Sequence, residues 1–290
     1  MFDHIALATP YQTIDIPYPV QLTIKRLDQI HPHISGNKFF KLKHNLLAAQ
    51  EQGLNQVLTF GGAFSNHIAA TAFAAHHFGF QSIGIIRGDE LAHQMLNPTL
   101  ARAQQLGIQL HFVSRAEYRL RHDIDYLHQL QQRYPNSYII PEGGSNALAI
   151  QGCQEILSDD DLENFDVICC AVGTGGTIAG IIEKSASNQQ VLGFSALKGD
   201  FLKQDIQHWT KKTNWSLSDA YCGNGYAKTT VELLQFIDNF ERQYSIPLEH
   251  IYTGKMMMGL FDLIQQHHFP ENTRILAIHT GGLQGKIKTY

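Results

Sequence analysis

The sequence predicts an α/β protein made of two open, twisted parallel sheets, each in its own domain. Three observations predict it. Short β-rich runs alternate with helical stretches, the alternation falls into two series, and three strand ends run through glycine pairs into helices. The first series has strand patterns at 57–60, 82–86, 109–113 and 137–140, separated by helical stretches at 66–77, 98–106 and 116–134. The second has strand patterns at 166–172, 191–196 and 274–279 and helical stretches at 177–187, 201–212, 230–245 and 255–266, with a short strand or turn at 250–252. A helix after each strand carries the chain back over the sheet, so successive strands run parallel. An earlier strand pattern at 21–26 has no crossover helix before residue 38 and is expected to join the second sheet. The expected division is a large domain, 1–41 with 145–290, and a small α/β domain, 42–144, inserted in it.

Composition narrows the function. The 290 residues are 43% hydrophobic and 17% charged, with a net charge of −4, which is ordinary globular composition with ample core. No run of Lys or Arg forms a basic patch, so no nucleic-acid partner is expected. No apolar stretch reaches the roughly 18 residues of a membrane span. The start, Met1-Phe2-Asp3-His4, lacks a basic segment followed by an apolar one, so neither membrane insertion nor a signal peptide is expected. Cys153, Cys169, Cys170 and Cys222 show no CxxC spacing, and Cys169-Cys170 read as small hydrophobes inside an apolar run. A reduced, cytoplasmic setting is the expectation. The sixteen histidines are scattered, with His76-His77 and His267-His268 late in helical stretches where polar caps are favourable. No carboxylate or cysteine joins them at ligand spacing, so no metal is expected.

The chemistry is carried by strand-to-helix turns and one lysine. Lys38 stands in Ser35-Gly36-Asn37-Lys38-Phe39-Phe40-Lys41-Leu42, with Gly and Asn before it, aromatic rings after it, and an amphipathic helix beginning. That setting suits an amine partly withdrawn from water. Desolvation disfavours an ammonium, and a neutral amine condenses with an aldehyde, of which pyridoxal phosphate is the common biological example. Alone, such a lysine is more often an exposed one at a helix start. Val172-Gly173-Thr174-Gly175-Gly176-Thr177-Ile178 follows a buried strand and opens a helix, where glycines let the backbone approach an anion and helix amides point at it. It reads as a cradle for one phosphate. It is no P-loop, since no Gly-Lys-Ser/Thr follows, and Ile178 stands where a dinucleotide fingerprint needs its third glycine. In Gly61-Gly62-Ala63-Phe64-Ser65-Asn66-His67, Asn66 can donate to a phenolate-like oxygen or a carboxylate and Ser65 can carry a proton; helix capping is the plainer role for both. Pro141-Glu142-Gly143-Gly144-Ser145-Asn146 reads as a domain junction. Tyr252, in Ile251-Tyr252-Thr253-Gly254-Lys255, is an acid, a base or a core ring, and Thr280, in Ile278-His279-Thr280-Gly281-Gly282, offers a hydroxyl to a ring nitrogen or only ends a turn.

Taken in order along nearly the whole chain, these motifs resemble the pyridoxal-phosphate enzymes of the tryptophan-synthase-β-like fold, fold type II. More narrowly they resemble the 1-aminocyclopropane-1-carboxylate deaminase/D-cysteine desulfhydrase family. His-Pro-His-Ile-Ser-Gly-Asn-Lys at 31–38 resembles its cofactor-lysine motif, and Gly61-Gly62 with Ser65-Asn66-His67 its Gly-Gly-x-x-Ser-Asn-His/Gln motif. Gly143-Gly144-Ser145-Asn146, the Gly173 to Thr177 turn, Gly225-Tyr226, Tyr252-Thr253-Gly254-Lys255 and His279-Thr280-Gly281-Gly282 also match. The resemblance implies an active site in the cleft between the two domains, pyridoxal 5'-phosphate as cofactor and a homodimer. It implies that Lys38 binds the cofactor covalently and moves protons at the substrate α-carbon. Asn66 bonds the cofactor's phenolic oxygen, Gly173, Thr174, Gly175, Gly176 and Thr177 hold its phosphate, and Thr280 faces the pyridine nitrogen. Ser65, Asn66 and His67 hold the substrate carboxylate, with Ser65 and Tyr252 as the further catalytic groups and Tyr252 acting near the leaving side.

The resemblance also separates two activities. Its deaminases carry Tyr-Glu where this chain has Tyr252-Thr253. A carboxylate near the pyridine nitrogen keeps it protonated and strengthens the electron sink that ring opening needs. A threonine cannot hold that charge, so β-elimination from a small D-amino acid such as D-cysteine, giving keto acid, ammonia and sulfide, is the expected reaction. The alternative is 1-aminocyclopropane-1-carboxylate deamination to 2-ketobutyrate and ammonia. A reading from another class is a non-catalytic α/β protein that binds phosphate or a nucleotide through Gly173 to Thr177. The chain departs from the family's pattern at Phe39-Phe40 and in its tail after Gly282, which bears on substrate choice.

Overall fold

The computed structural model describes residues 1–199, 201–223, 225 and 227–286. Tyr226 of the Gly225-Tyr226 pair and the end of the tail, 287–290, lie outside the described residues. In chain order the strands and helices are β1 (Tyr11–Ile14), β2 (Gln21–Lys25), α1 (Asn37–Glu51), β3 (Gln56–Gly61), α2 (Asn66–Phe78), β4 (Gln81–Arg87), α3 (Pro98–Gln105), β5 (Ile108–Val113), α4 (Arg115–Arg119) and α5 (Ile124–Arg133). There follow β6 (Ser137–Ile140), α6 (Ala147–Gln154), α7 (Asp159–Asn164), β7 (Val167–Val172), α8 (Gly176–Lys184), β8 (Gln190–Ser195), α9 (Phe201–Trp209), β9 (Trp215–Ser218), α10 (Val231–Tyr244), α11 (Thr253–Gln265) and β10 (Arg274–Ile278).

The chain packs as two compact units. One holds Met1–Ala6, His31–Ile34 and Lys38–Gly152; the other holds Leu7–Ile30, Ser35–Asn37 and Cys153–Tyr290. Packing thus places Lys38 with the smaller sheet, whereas a division at 41/42 assigns it to the larger one. Helix α1, which carries it, begins at Asn37.

The smaller unit is an all-parallel sheet in the order β5-β4-β3-β6. Its central strands are apolar on both faces, as expected when helices cover both sides. Leu58, Phe60, Ile83 and Ile85 pack with Tyr118, Tyr126 and Leu130 on one side, and Ile68, Ala72, Leu100 and Ala103 gather on the other. The larger unit is a six-stranded sheet in the order β1-β2-β10-β7-β8-β9, parallel except for β1 against β2. Strand β2 pairs parallel to β10 with Leu22 opposite Ile275, so the early strand joins the second sheet as the sequence indicates. Strand β7, Val-Ile-Cys-Cys-Ala-Val, is buried along its whole length, and Cys153, Cys169, Cys170 and Cys222 are buried free thiols.

Two local expectations are corrected, at 116–134 and 201–212, and the choice between strand and turn at 250–252 falls to the turn. The helical pattern at 116–134 is two helices, because the Asp123 carboxylate accepts from the Tyr126 amide and starts α5 afresh. Residues 250–252 form a turn, because the Glu249 carboxylate draws the amides of Ile251, Tyr252 and Thr253 to itself. The stretch at 201–212 stops at Trp209. No helix among the described residues is long and apolar enough to cross a membrane, and no group of three or more His, Cys, Asp or Glu among them is placed to hold a metal ion.

Candidate active site

In the larger unit the site is built on the turn after β7. Gly173, Thr174 and Gly175 leave the strand, Gly175 takes a left-handed conformation (φ +78°), and α8 starts at Gly176 with no side-chain cap. Uncapped first-turn amides carry the positive end of the helix dipole. A Cβ at 173 would stand 2.9 Å from Cε1 and 3.3 Å from the hydroxyl of Tyr252, so any larger residue would have to displace that ring. That close approach lays the tyrosine ring against the turn. Thr174 is exposed and Thr177 buried. Asn37 donates from Nδ2 to Thr177 Oγ1 at 2.8 Å. Its own amide donates to the Thr280 carbonyl at 3.2 Å. Gly36 (φ +65°) lies so close to Thr280 that a Cβ would stand 1.9 Å from that carbonyl oxygen. The loop that leads into Lys38 is therefore fastened to the turn after β7 and to the turn after β10.

Thr280 rests on a buried polar network. Arg26 donates to both carboxylate oxygens of Asp28, at 2.9 and 2.7 Å, and to the Gln12 side chain at 2.9 Å. The neighbouring His279 donates from Nε2 to the Pro247 carbonyl at 2.7 Å, and its Nδ1 lies 3.3 Å from the Gly281 amide and 3.4 Å from Asp28 Oδ1. Burial holds the His279 ring below the usual histidine range, against the pull of Asp28. Thr253 does not face outward. Its side chain is fully buried, accepts from the Glu249 amide at 3.1 Å and lies 3.2 Å from Glu249 Oε1. Burial pushes the Glu249 carboxyl above its usual range, while the amides of 251 to 253 pull it back.

In the smaller unit, the turn after β3 is capped. Ser65 Oγ accepts from the Ile68 amide at 3.2 Å and starts α2. The next two amides, Asn66 and His67, lie in the first turn and point out of the helix end. The Asn66 side-chain oxygen is buried and has no partner among the described residues. A buried acceptor left unpaired costs roughly 1–3 kcal/mol, which argues for a donor supplied by a ligand. His67 is buried, and its tautomer follows from its partner. Thr59 Oγ1 gives its one hydrogen to the Ile140 carbonyl at 2.8 Å, so it accepts from His67 Nε2 at 2.8 Å. Nδ1 is then a bare acceptor, and it has no partner among the described residues. Burial, with the Lys38 and Lys41 charges, holds the ring well below the usual range, so it stays neutral. Through its ring His67 accepts, and only its main-chain amide can donate to a carboxylate.

Lys38 is half-buried on the first turn of α1. Lys41, one turn on, is 2% exposed and donates to the Gly143 carbonyl at 3.0 Å and to Ser145 Oγ at 2.8 Å. Sequence reasoning missed this second buried lysine and Glu249; the i, i+3 spacing of Lys38 and Lys41 was the available signal for the first. The Gly-Gly-Ser-Asn turn, read from the sequence as a domain junction, lies inside the smaller unit, where Asn146 exchanges amide hydrogen bonds with Asn45 at 2.7 and 3.2 Å.

An uncapped helix start after a buried strand, with an adjoining loop that leads into a lysine, suits a phosphorylated aldehyde. The fold and this arrangement are those expected of a pyridoxal-phosphate enzyme. The family described as "Pyridoxal-phosphate dependent enzyme" matches residues 8–281. A Thermotoga maritima protein, provisionally named 1-aminocyclopropane-1-carboxylate deaminase, is 30% identical over 92% of this chain and 90% of its own length. The Arabidopsis thaliana mitochondrial "Bifunctional D-cysteine desulfhydrase/1-aminocyclopropane-1-carboxylate deaminase" is 32% identical over 93% of this chain and 74% of its own. A crystal structure of an ACC deaminase homologue superposes with a TM-score of 0.83 at 27% identity, covering 97% of this chain and 91% of that one. The chain belongs to the 1-aminocyclopropane-1-carboxylate deaminase/D-cysteine desulfhydrase family of pyridoxal-phosphate dependent enzymes.

Proposed function

We propose that this enzyme eliminates a β-leaving group from a small D-amino acid, with D-cysteine as the substrate to test first and keto acid, ammonia and sulfide as products. The observation that carries the reading is the Asn37–Thr177 hydrogen bond, which ties the residue before Lys38 to the turn that starts α8. An amine and a phosphate cradle thereby share one loop. Gly173, Thr174, Gly175, Gly176 and Thr177 would hold the phosphate, Asn66 the ring's phenolic oxygen, and Thr280 the ring nitrogen. Pyridoxal phosphate, when bound, supplies an electron sink for the substrate α-carbon.

The chain's own groups do the rest. Lys38 Nζ would hold the cofactor and would move a proton at the substrate α-carbon. The amides of Asn66 and His67, with the Ser65 hydroxyl, take the substrate carboxylate at the positive end of α2. Ser65 and Tyr252 supply the remaining proton transfers, and the Tyr252 hydroxyl, lying against Gly173, is the candidate for protonating the departing sulfur. The structure supports the elimination in one respect: no acid stands at 253, and the Thr253 hydroxyl is committed to Glu249.

The name of the Arabidopsis relative couples two activities, which favours a second reading, ring opening of 1-aminocyclopropane-1-carboxylate to 2-ketobutyrate and ammonia. Side-by-side assays decide. Sulfide and keto acid from D-cysteine, with no 2-ketobutyrate from the cyclopropane, support elimination; 2-ketobutyrate at a comparable rate replaces it with the second reading. A purified protein that shows no visible absorbance with added cofactor rejects both and leaves a phosphate- or nucleotide-binding α/β protein. A homodimer and a cytoplasmic setting belong to the same proposal. The four buried free thiols accord with a reducing compartment, and a single-chain mass by light scattering would remove the dimer.

A further inference from the structure

The turn that leads to Lys38 is held by a histidine with no role in the reading above. His31 is 8% exposed, and its Nδ1 accepts two main-chain hydrogen bonds, from the His33 amide at 3.1 Å and the Ile34 amide at 3.0 Å. An atom that accepts two amide hydrogens carries none itself, so the ring is neutral with its hydrogen on Nε2. The ring does for this turn what an Asn or Asp oxygen does in an Asx turn.

The clasp is anchored to helix α2 and, through it, to the residue after Lys38. The His31 ring packs 5.3 Å from Phe73, which stacks at 5.9 Å on His77, which meets Phe78 at 4.8 Å. Phe78 lies 4.9 Å from Phe2, and Phe2 lies 5.0 Å from Phe39. The series closes a circuit of rings within one unit, from four residues before Ser35 to one residue after Lys38. It also gives Phe39, a departure from the family's pattern, a structural task.

We propose that neutral His31 is a positioning residue for Lys38: its Nδ1 clasps the turn 31–34 that delivers the lysine, and protonation of that nitrogen releases the turn. This rests on Lys38 as the cofactor-bearing residue. The titratable groups that bear on the ring are His33, from its own turn, and His77, from α2; both are like-charged when protonated and oppose its protonation, as does burial. A proton on Nδ1 would remove the acceptor from two amides at once. Because burial and these neighbours hold the folded-state value below the 6.5 of a free histidine, the unfolded chain binds the proton first. The clasp is complete above about pH 6.5 and is lost as the pH falls through the folded value.

The test uses the full-length holoenzyme and His31→Asn, whose side-chain oxygen can accept the same two amides but does not titrate. His31→Ala is the disruptive partner. Expected for the wild type are a ring with a bare Nδ1 by ¹⁵N NMR at pH 7.5, and a joint shift of the His33 and Ile34 amide signals as Nδ1 takes its proton below pH 6.5. The cofactor's visible band and kcat/KM should fall over the same interval. In His31→Asn that acid limb should move down by at least about one pH unit, tenfold in proton concentration, while turnover at pH 8 is kept. His31→Ala should lose turnover at every pH. His77→Gln should move the limb upward by removing an opposing charge. A hydrogen on Nδ1 at pH 7.5, or identical acid limbs in wild type and His31→Asn, overturns the proposal. If Lys38 is not the cofactor lysine, Lys38→Ala keeps the wild-type cofactor band, whereas the ring and amide titrations still decide the clasp.

Discussion

Helices α8 and α11 sit in the same unit and both begin without a side-chain cap from the residue before them. They differ in what fills the amides of the first turn. At α11 the chain supplies its own acceptor: the Glu249 carboxyl takes the amide of Thr253, the first helical residue, and those of Ile251 and Tyr252 just before it, at 2.6 to 2.8 Å. At α8 the start is a left-handed glycine, Gly175, followed by Gly176 and Thr177. Helix α2 is the intermediate case, with Ser65 Oγ closing one amide and leaving the ends of Asn66 and His67 to an outside group. A helix start that the chain fills from within is structural, and one that it leaves to an outside anion is a binding site. On the proposed reading, this difference assigns unequal amounts of chemistry to three glycine- or turn-rich starts of similar appearance.

The largest expected effect separates the covalent contribution from that of α8. Lys38→Ala should reduce turnover by at least about 10²–10⁴-fold, the range for a lost positioned acid–base group, while cofactor still binds non-covalently through Gly173 to Thr177. Steady-state assays and ultrafiltration of bound cofactor check the two halves separately. Ordinary turnover by the variant would remove Lys38 from the site; loss of all cofactor binding would show that α8 does little without it.

The next effect tests α8 directly. Gly175→Ala forces an alanine into the left-handed region at roughly 1–2 kcal/mol, and its Cβ would meet Ile206 at 3.2 Å. Cofactor affinity should fall about tenfold, the equivalent of 1.4 kcal/mol. Gly79→Ala is the control. It has the same φ of +78° at the end of α2, with open space around its Cβ, and should cost stability without changing cofactor affinity. Equal losses of affinity in both would mean that strain, not the anion site, governs binding.

The filled start of α11 predicts a stability effect in place of an activity gain. Thr253→Glu would bury a second carboxylate against Glu249, and two buried acids in contact cannot both ionise. A loss of about 3 kcal/mol or more is expected in urea unfolding, with no new release of 2-ketobutyrate. A well-folded variant that opens the cyclopropane would show that residue 253 reaches the substrate region and that the structural role assigned to Glu249 is secondary.

These helix starts also mark how far the sequence could be read. Apolar runs bounded by glycines announced both sheets, and the strand at 21–26 was assigned to the second sheet because it lacks a crossover helix. Edge strands β1 and β9 escaped, since four residues with one side open carry little periodicity. The break at Asp123 escaped because the apolar pattern continues across it, although an Asp before a helical run is a cap signal. Lys38, the Gly173 to Thr177 turn and the Ser65-Asn66-His67 turn are singled out as candidates because each is a local run of sequence; their roles belong to the proposal above. The direction of the His67 ring was not legible, because it depends on Thr59 and on the Ile140 carbonyl from another strand. Nor was the burial of Thr253 against Glu249, which made a residue assigned to the electronics of the site into part of a turn.

The smallest expected effect bears on Ser65, the residue whose two roles coincide. Its backbone is extended (φ −69°, ψ 117°) and its hydroxyl oxygen accepts from the Ile68 amide, so Ser65→Ala should cost about 1 kcal/mol of stability through the lost cap alone. Ser65→Asp restores an acceptor for that amide but sets a negative charge where a substrate carboxylate would approach. If the hydroxyl only caps, the alanine variant loses stability and keeps its KM, and the aspartate variant is as active as the wild type. If it also holds the carboxylate, KM rises in the alanine variant and rises further in the aspartate variant, although the latter regains the lost stability. A rise of KM in a variant that regains stability is what a purely structural Ser65 cannot produce, because a cap alone would leave KM unchanged in both variants.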